Sequence, residues 1–164
     1  MKKLLFLLPG ILVLLGLDLG TKQWAARELQ HTAGRNVISG FWRFDYVENR
    51  NVAFSLGKSI PDGIKQPLII IIAVFALILL VYYLIKSNST ILMRLSATAI
   101  LAGALGNLVD RLLNGYVIDF IHWYYGNFHW PVFNLADVYI VIGMGLLLIE
   151  YFRVEREERQ KAAV

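Results

Sequence analysis

Cysteine is absent from all 164 residues, which removes disulfides, thiolate nucleophiles and thiolate metal sites together. Charge is scarce as well: 17% of the residues are Asp, Glu, Lys or Arg, 57% are hydrophobic, and the mean hydropathy is +0.57. Soluble domains carry about 25% charged residues, so this composition excludes a soluble reading and describes a membrane protein. Repeats at a period of about 20 to 50 residues, low-complexity tracts and linkers are missing too, so residues 1–164 are expected to form one integral-membrane domain. A basic groove studded with aromatics is lacking. The net charge of +4 follows from basic residues flanking apolar runs, and nucleic acid is not expected as a partner.

Long apolar runs are what the chain has in abundance. Gln66 to Ile85 contains no charged residue and has the length of about 20 residues that a helix needs to cross a bilayer. Three other runs are long enough, so four transmembrane helices are predicted, at about residues 4–22, 66–85, 91–111 and 133–152. The expected fold class is an all-α membrane protein with two outward segments, 23–65 and 112–132. The amino terminus imitates a secretory signal peptide, yet Asp18 interrupts its apolar run and its A-x-A-like site is poor, so the segment is expected to be retained as the first helix. Lys2, Lys3, Lys86, Arg94, Arg153, Arg156, Arg159 and Lys161 fall on one side if four helices alternate, which predicts both termini in the cytoplasm.

The two outward segments carry the remaining structure. Trp42, Phe44 and Tyr46 alternate with Arg43, Asp45 and Val47, which predicts a strand, a turn near Asn49 to Asn51, and a second strand, giving a small outward-facing sheet. Between the third and fourth helices, Trp123, Tyr124, Tyr125 and Trp130 suggest an outer segment lying along the membrane interface.

Against this apolar background, Asp18, Asp110, Asp119 and Asp137 are costly if ionised and mark function. Asp18 has Lys22 one helical turn away and Asp110 has Arg111 beside it, so each has a cation at hand. Asp119 and Asp137 have no Lys or Arg three or four residues to either side, which points to proton sharing or work on a substrate. At about 1.5 Å rise per residue, Asp18 stands roughly 22 Å beyond Lys3 and Asp110 roughly 28 Å beyond Ile91. All four carboxylates are then expected in one layer near the outer face, with Asn107, Asp110 and Arg111 on one face of the third helix and Asn134 one turn before Asp137. Small residues, Gly103 and Gly106 among them, are expected to let the helices approach closely.

Two carboxylates close together in a poorly hydrated site cannot both ionise easily, so one keeps a proton, and such a dyad can hydrolyse an amide. Asp119 and Asp137 are the expected catalytic pair, with Asn49, Asn107, Arg111 and Asn134 orienting substrate or holding the carboxylates. A proton-coupled transporter would want polar residues through the bilayer centre, and the second helix is wholly apolar. A metal hydrolase built from Asp119, His122, His129 and His31 has no H-E-x-x-H pair to support it, so neither metal nor cofactor is expected.

Five blocks carry a resemblance: D-L-G-T-K (Asp18 to Lys22), N-R-N-V-A-F (Asn49 to Phe54), G-N-L-V-D-R (Gly106 to Arg111), V-I-D-F (Val117 to Phe120) and F-N-L-A-D (Phe133 to Asp137). In order and spacing they resemble the signature blocks of lipoprotein signal peptidase, or signal peptidase II, a bacterial aspartyl endopeptidase. The resemblance implies four transmembrane helices with an outward β-cradle, and cleavage of prolipoproteins just before the lipid-modified cysteine. It implies Asp119 and Asp137 as the catalytic pair and Asp18, Lys22, Asn49, Asn107, Asp110, Arg111 and Asn134 as residues that shape or line the site. The implied setting is the bacterial inner membrane, with lipid-modified prolipoproteins and membrane lipid as partners and a monomeric enzyme. The chain departs from the family pattern at Asn51, where glycine is usual, and at Val138, where a small hydroxyl residue is common.

Overall fold

The computed structural model describes residues 7–51, 61–86 and 90–162. Its elements run α1 (Leu8–Leu29), β1 (Arg35–Ile38), β2 (Trp42–Asn49), α2 (Asp62–Lys86), α3 (Ile91–Asn114), β3 (Val117–Tyr125), β4 (Phe128–His129) and α4 (Leu135–Ala162). Among the described residues, α2, α3 and α4 are the helices long and apolar enough to cross a membrane. Their exposed leucine, isoleucine, valine and phenylalanine side chains, Ile71, Phe75, Ile78, Val141 and Leu148 among them, suit a hydrocarbon surround.

Helix α3 is the centre of the bundle and packs against α1, α2 and most extensively α4. It begins at Thr90, whose side chain accepts the Met93 N–H at 3.2 Å, and ends at Gly115 in the left-handed region (φ 77°), where glycine carries no Cβ penalty. Its small residues allow α4 to approach. A Cβ on Gly103 would strike the Ala136 backbone carbonyl, and one on Gly106 would strike the Asp18 carboxylate. Lower in the same interface, Ser96 Oγ donates to the Gly143 carbonyl at 2.7 Å. Gly145 of α4 faces open space.

Helix α1 continues to Leu29, beyond the predicted end near residue 22. Asp18, Lys22, Ala25 and Leu29 fall on one helical face and are all buried, so the face that carries the charges inward continues into a face that packs on the sheet. Ala25 and Leu29 meet Ile118, Phe120 and Ile121 in one apolar cluster, with Trp24 set edge-on to Phe44 at 5.2 Å between ring centres. Helix α4 likewise extends past residue 152, where the i, i+4 pairs Arg153 with Glu157 and Glu155 with Arg159 support the helix beyond its apolar part.

The sheet is antiparallel in the order β1-β2-β3-β4. Strand β2 falls where the aromatic alternation placed it, with a register shift between Phe44 and Val47. Its described neighbours are β1 and β3; the second strand expected after Asn51 lies outside the described residues. Within the segment 112–132, Val117–Tyr125 and Phe128–His129 supply β3 and β4 to the sheet. Val117 to Ile121 are buried in succession, enclosed on both faces. A β-branched and aromatic run without polar alternation is the pattern of a strand buried on both faces. The far end of the strand, with Trp123 and Tyr125 exposed, retains the aromatic rim that suggested the interface.

Candidate active site

The carboxyl-terminal parts of α1 and α3, the amino-terminal ends of α2 and α4, and β2 and β3 meet at one end of the bundle. There the structure gathers all nine residues singled out in the sequence. They form two connected layers.

The deeper layer is ionic. Lys22, 1% exposed, places Nζ 2.9 Å from Asp18 Oδ2 and 3.1 Å from Asp110 Oδ2, and donates to Asn107 Oδ1 at 3.0 Å. Asp110 therefore takes its cation from α1 and not from its sequence neighbour Arg111. Both carboxylates also hold backbone: Asp18 Oδ1 accepts the Ala136 N–H at 2.8 Å, in the first turn of α4, and Asp110 Oδ2 accepts the Ile118 N–H at 3.1 Å. The first contact satisfies a donor left open by the helix start, at the end where a negative charge is favoured. One buried triad thus fixes where α4 begins and where β3 leaves α3.

The upper layer holds Asp119 and Asp137. Asn134 caps α4: its Oδ1 accepts the Asp137 N–H at 3.0 Å while Asp137 Oδ2 accepts the Asn134 N–H at 3.2 Å. This is a reciprocal capping arrangement, with Asn and Asp in the places often taken by Ser or Thr and Glu. The remaining Asp137 oxygen, Oδ1, accepts Asn107 Nδ2 at 2.8 Å. Asp119, 2% exposed on β3, accepts Asn134 Nδ2 at 2.7 Å and Asn49 Nδ2 at 2.8 Å, one on each oxygen. Asn134 Nδ2 also reaches Asn107 Oδ1 at 3.1 Å, so two asparagine amides, Asn134 and Asn107, connect the two acids to each other and to Lys22.

Among the described residues, Asp18, Asp110, Asp119 and Asp137 share this end of the bundle with Lys22, Arg111 and, at the start of α2, Lys65. The cluster's ion pairs belong to Asp18 and Asp110, and among the described residues none is made by Asp119 or Asp137. Arg111 donates instead to two backbone carbonyls, Asn107 and Asn51, each at 3.3 Å. Burial, and next the charge of Asp137, push the Asp119 carboxyl up to about 7, against the hydrogen bonds from Asn49 and Asn134 that favour its charged form.

Asp119 and Asp137 open on one cavity of about 520 Å³, lined on its polar side by Asn49, Asn51, Asn107 and Arg111 and elsewhere by Trp123, Trp130, Phe133, Val138 and Ile140. Such a wall, mostly apolar with a few convergent polar groups, suits a substrate that carries hydrocarbon and one polar bond to be acted on. Among the described residues no three His, Cys, Asp or Glu side chains are grouped to hold a metal ion. His122 is instead engaged by Asp45 at 2.6 Å through Nδ1 and by His129 at 3.1 Å through Nε2, and His31 is exposed just beyond α1.

Sequence reasoning passed over some participants. The Ala136 N–H is backbone and leaves no trace in composition. Lys65 and Gln66 read as the polar flank of an apolar helix, yet Lys65 Nζ donates to Asn51 Oδ1 at 3.1 Å and Gln66 Nε2 to the Arg50 carbonyl at 2.7 Å. The alternation of asparagines in N-R-N was the one available signal, because asparagine side chains commonly bond backbone two residues on.

A bundle of membrane-length helices, with a sheet closing one end over a cavity that holds two acids, defines an integral membrane protein with an enzyme-like site. The chain belongs to the signal peptidase II family and is thereby a peptidase: the profile described as Signal peptidase (SPase) II matches residues 10–153. It is 39% identical over 156 residues to the lipoprotein signal peptidase of Clostridium tetani (strain Massachusetts / E88), covering 92% of this chain and 96% of that one. To the lipoprotein signal peptidase of Syntrophus aciditrophicus (strain SB) it is 38% identical over 161 residues, covering 96% and 99%. Its fold is similar to a solved structure described as a bacterial membrane enzyme, obtained by the in meso method at 2.3 Å, with a TM-score of 0.80, 29% identity, and coverage of 90% of this chain and 88% of the other. The resemblance read from the five sequence blocks is borne out.

Proposed function

We propose that this protein is an aspartyl lipoprotein signal peptidase, cutting the peptide bond before the lipid-modified cysteine of bacterial prolipoproteins with Asp119 and Asp137 as the catalytic dyad. One observation carries the reading: both acids face the same apolar-walled cavity and, among the described residues, are held by amide and backbone donors, while Lys22 and Arg111 bond other partners. Acids kept for structure are neutralised by cations, as Asp18 and Asp110 are. These two are left to share a proton.

The chemistry follows from that sharing. The charged carboxylate takes a proton from a water whose oxygen attacks the scissile carbonyl carbon; the protonated carboxyl gives its proton to the carbonyl oxygen. The tetrahedral diol then collapses: the C–N bond breaks as the dyad's acid protonates the departing amine, and the other carboxylate takes a proton from a diol hydroxyl, so the carboxyl product forms and the pair again holds one proton. The pair titrates as a unit, so the two roles belong to the dyad before they belong to either residue. Asn49, Asn107 and Asn134 hold the acids, Arg111 holds the backbone behind them, and Asp18, Lys22 and Asp110 shape the floor.

The reading includes the whole chain as a single four-span domain, with α1 as the fourth crossing helix, both termini cytoplasmic and the cavity at the outer face of the inner membrane. The alternation of helix ends at the site supports it, since α1 and α3 bring their carboxyl termini there and α2 and α4 their amino termini. A lipid-borne substrate enters from the side while water reaches the cavity from outside. The enzyme acts as a monomer without metal or cofactor. Purified enzyme and a lipidated precursor give the test: Asp119→Asn and Asp137→Asn fold and lose essentially all turnover, Asp18→Asn and Asp110→Asn lose part of it, and prolonged chelation changes nothing. Near-normal turnover in either dyad variant overturns the assignment, and loss on chelation overturns the metal-free chemistry.

A further inference from the structure

We infer that Lys65, at the start of α2, is a positioning residue that acts through Asn51 to hold the Asn49 amide against the Asp119 carboxylate. The inference rests on the dyad reading and deepens it.

Asn49 is the last residue of β2, and its side chain has two partners: Nδ2 donates to Asp119 Oδ2 at 2.8 Å, and Oδ1 accepts the Asn51 N–H at 2.9 Å. The two partners together permit one orientation of the amide. Turned over, it would face an N–H with its own NH2 and a carboxylate with its own carbonyl, and both bonds would be lost. The position of the Asn51 N–H therefore decides whether Asn49 presents a donor to Asp119. Beyond the strand end the ladder no longer fixes that position, so it must be fixed by something else.

Helix α2 supplies the mooring. Lys65, 6% exposed, donates to Asn51 Oδ1 at 3.1 Å, and the next residue, Gln66, donates to the Arg50 carbonyl at 2.7 Å. From α3, Arg111 Nη2 donates to the Asn51 carbonyl at 3.3 Å, and Arg111 Nη1 to the carbonyl of Asn107, the residue that holds Asp137. Asn51 is thus gripped at its side chain and at its carbonyl, leaving its N–H aimed at Asn49. The side-chain grip depends on the Asn51 amide oxygen, which accepts from Lys65.

The test compares Lys65→Met, Asn51→Ala, the double variant and Lys65→Arg with wild type in turnover of a lipidated precursor across pH, with Asp119→Asn in the same series. Lys65→Met is expected to lower kcat about ten- to hundredfold with KM within about twofold, since a misplaced group costs the transition state more than ground-state binding. Asn51→Ala should match it, the double variant should lose no more than either single one, and Lys65→Arg, which keeps a donor, should recover most of the rate. The alkaline limb of the profile should also move to higher pH, because the Asn49 hydrogen bond favours the charged form of Asp119. A change in packing alone would leave that limb in place. If Lys65→Met does not fold, Asn51→Ala and Lys65→Arg read the same link from its other end and by its conservative replacement. Turnover within about twofold of wild type and an unmoved limb in Lys65→Met, or losses that add in the double variant, overturn the inference. An inactive Asp119→Asn beside such a result sinks the mooring alone; an active one sinks the dyad and the mooring with it.

Discussion

Asp119→Asn separates what the carboxylate does for chemistry from what it costs the fold. Its two oxygens each accept one amide donor, from Asn134 and Asn49, and burial with the neighbouring Asp137 raises its carboxyl from 3.8 to about 7. The sign follows from proton counting: between these values the folded chain holds a proton that the unfolded chain has released, so this group's contribution to stability declines as pH rises through the window. Each tenfold change in proton affinity is worth about 1.4 kcal/mol, so on this account the wild type carries a penalty of about 4 kcal/mol at about pH 8 and of about 1 to 2 kcal/mol at about pH 5. Asparagine has no such penalty. It does lose one acceptor and sets an NH2 against an NH2, at about 1 to 3 kcal/mol, but that loss does not change with pH. The stability of Asp119→Asn relative to wild type should therefore improve by about 2 to 3 kcal/mol between about pH 5 and about pH 8, while turnover is abolished at both. Thermal or denaturant unfolding in detergent micelles at the two pH values measures the first, and cleavage of a lipidated precursor the second. A stability difference that is flat with pH would refute the placement of a protonated acid at this position, whatever the activity shows.

Wild-type kcat should decline as pH rises above about 7, where the dyad gives up its proton; a plateau extending two or more units higher would contradict a one-proton dyad. Lys22→Met leaves Asp18 and Asp110 buried without their shared cation and should cost about 3 to 5 kcal/mol, seen as a lowered unfolding midpoint or failure to accumulate in the membrane. Gly103→Ala drives a methyl group into the Ala136 carbonyl, a backbone atom one residue from Asp137, and should reduce stability by about 1 to 3 kcal/mol and slow cleavage together; an unchanged kcat would show that α4 shifts there without moving its acid.

Most of the site was legible before any coordinates because membrane helices make polar residues conspicuous. Asp18, Lys22, Asn107, Asp110, Arg111, Asn134 and Asp137 stood out against apolar sequence, and helical rise alone put most of them at one depth. The pairing was less legible. Arg111 lies next to Asp110 in sequence, but successive helical residues point in different directions, so Asp110 finds Lys22 of α1 and Arg111 turns to backbone carbonyls. That residues 117–125 form a strand was not legible, because the aromatics at the exposed end draw attention to the interface, whereas the buried half, Val117 to Ile121, joins the sheet.

The order of residues by itself determined that the protein lives in a membrane, where its helices run, which acids stand without a cation nearby in sequence, and to which family it belongs. The first three follow from composition, periodicity and local spacing and the last from the likeness of five short blocks, none of which needs a partner in space to be read. Only the tertiary structure decided that Asn134 caps α4 with Asp137 while reaching Asp119, that Asn107 joins Lys22 to Asp137, and that Lys65 reaches back to Asn51. These bonds join α3 to α1 and α4, the start of α4 to β3, and α2 to the turn after β2. Their direction is set by how closely glycine and serine let the helices pack, and that is a property of the assembled bundle.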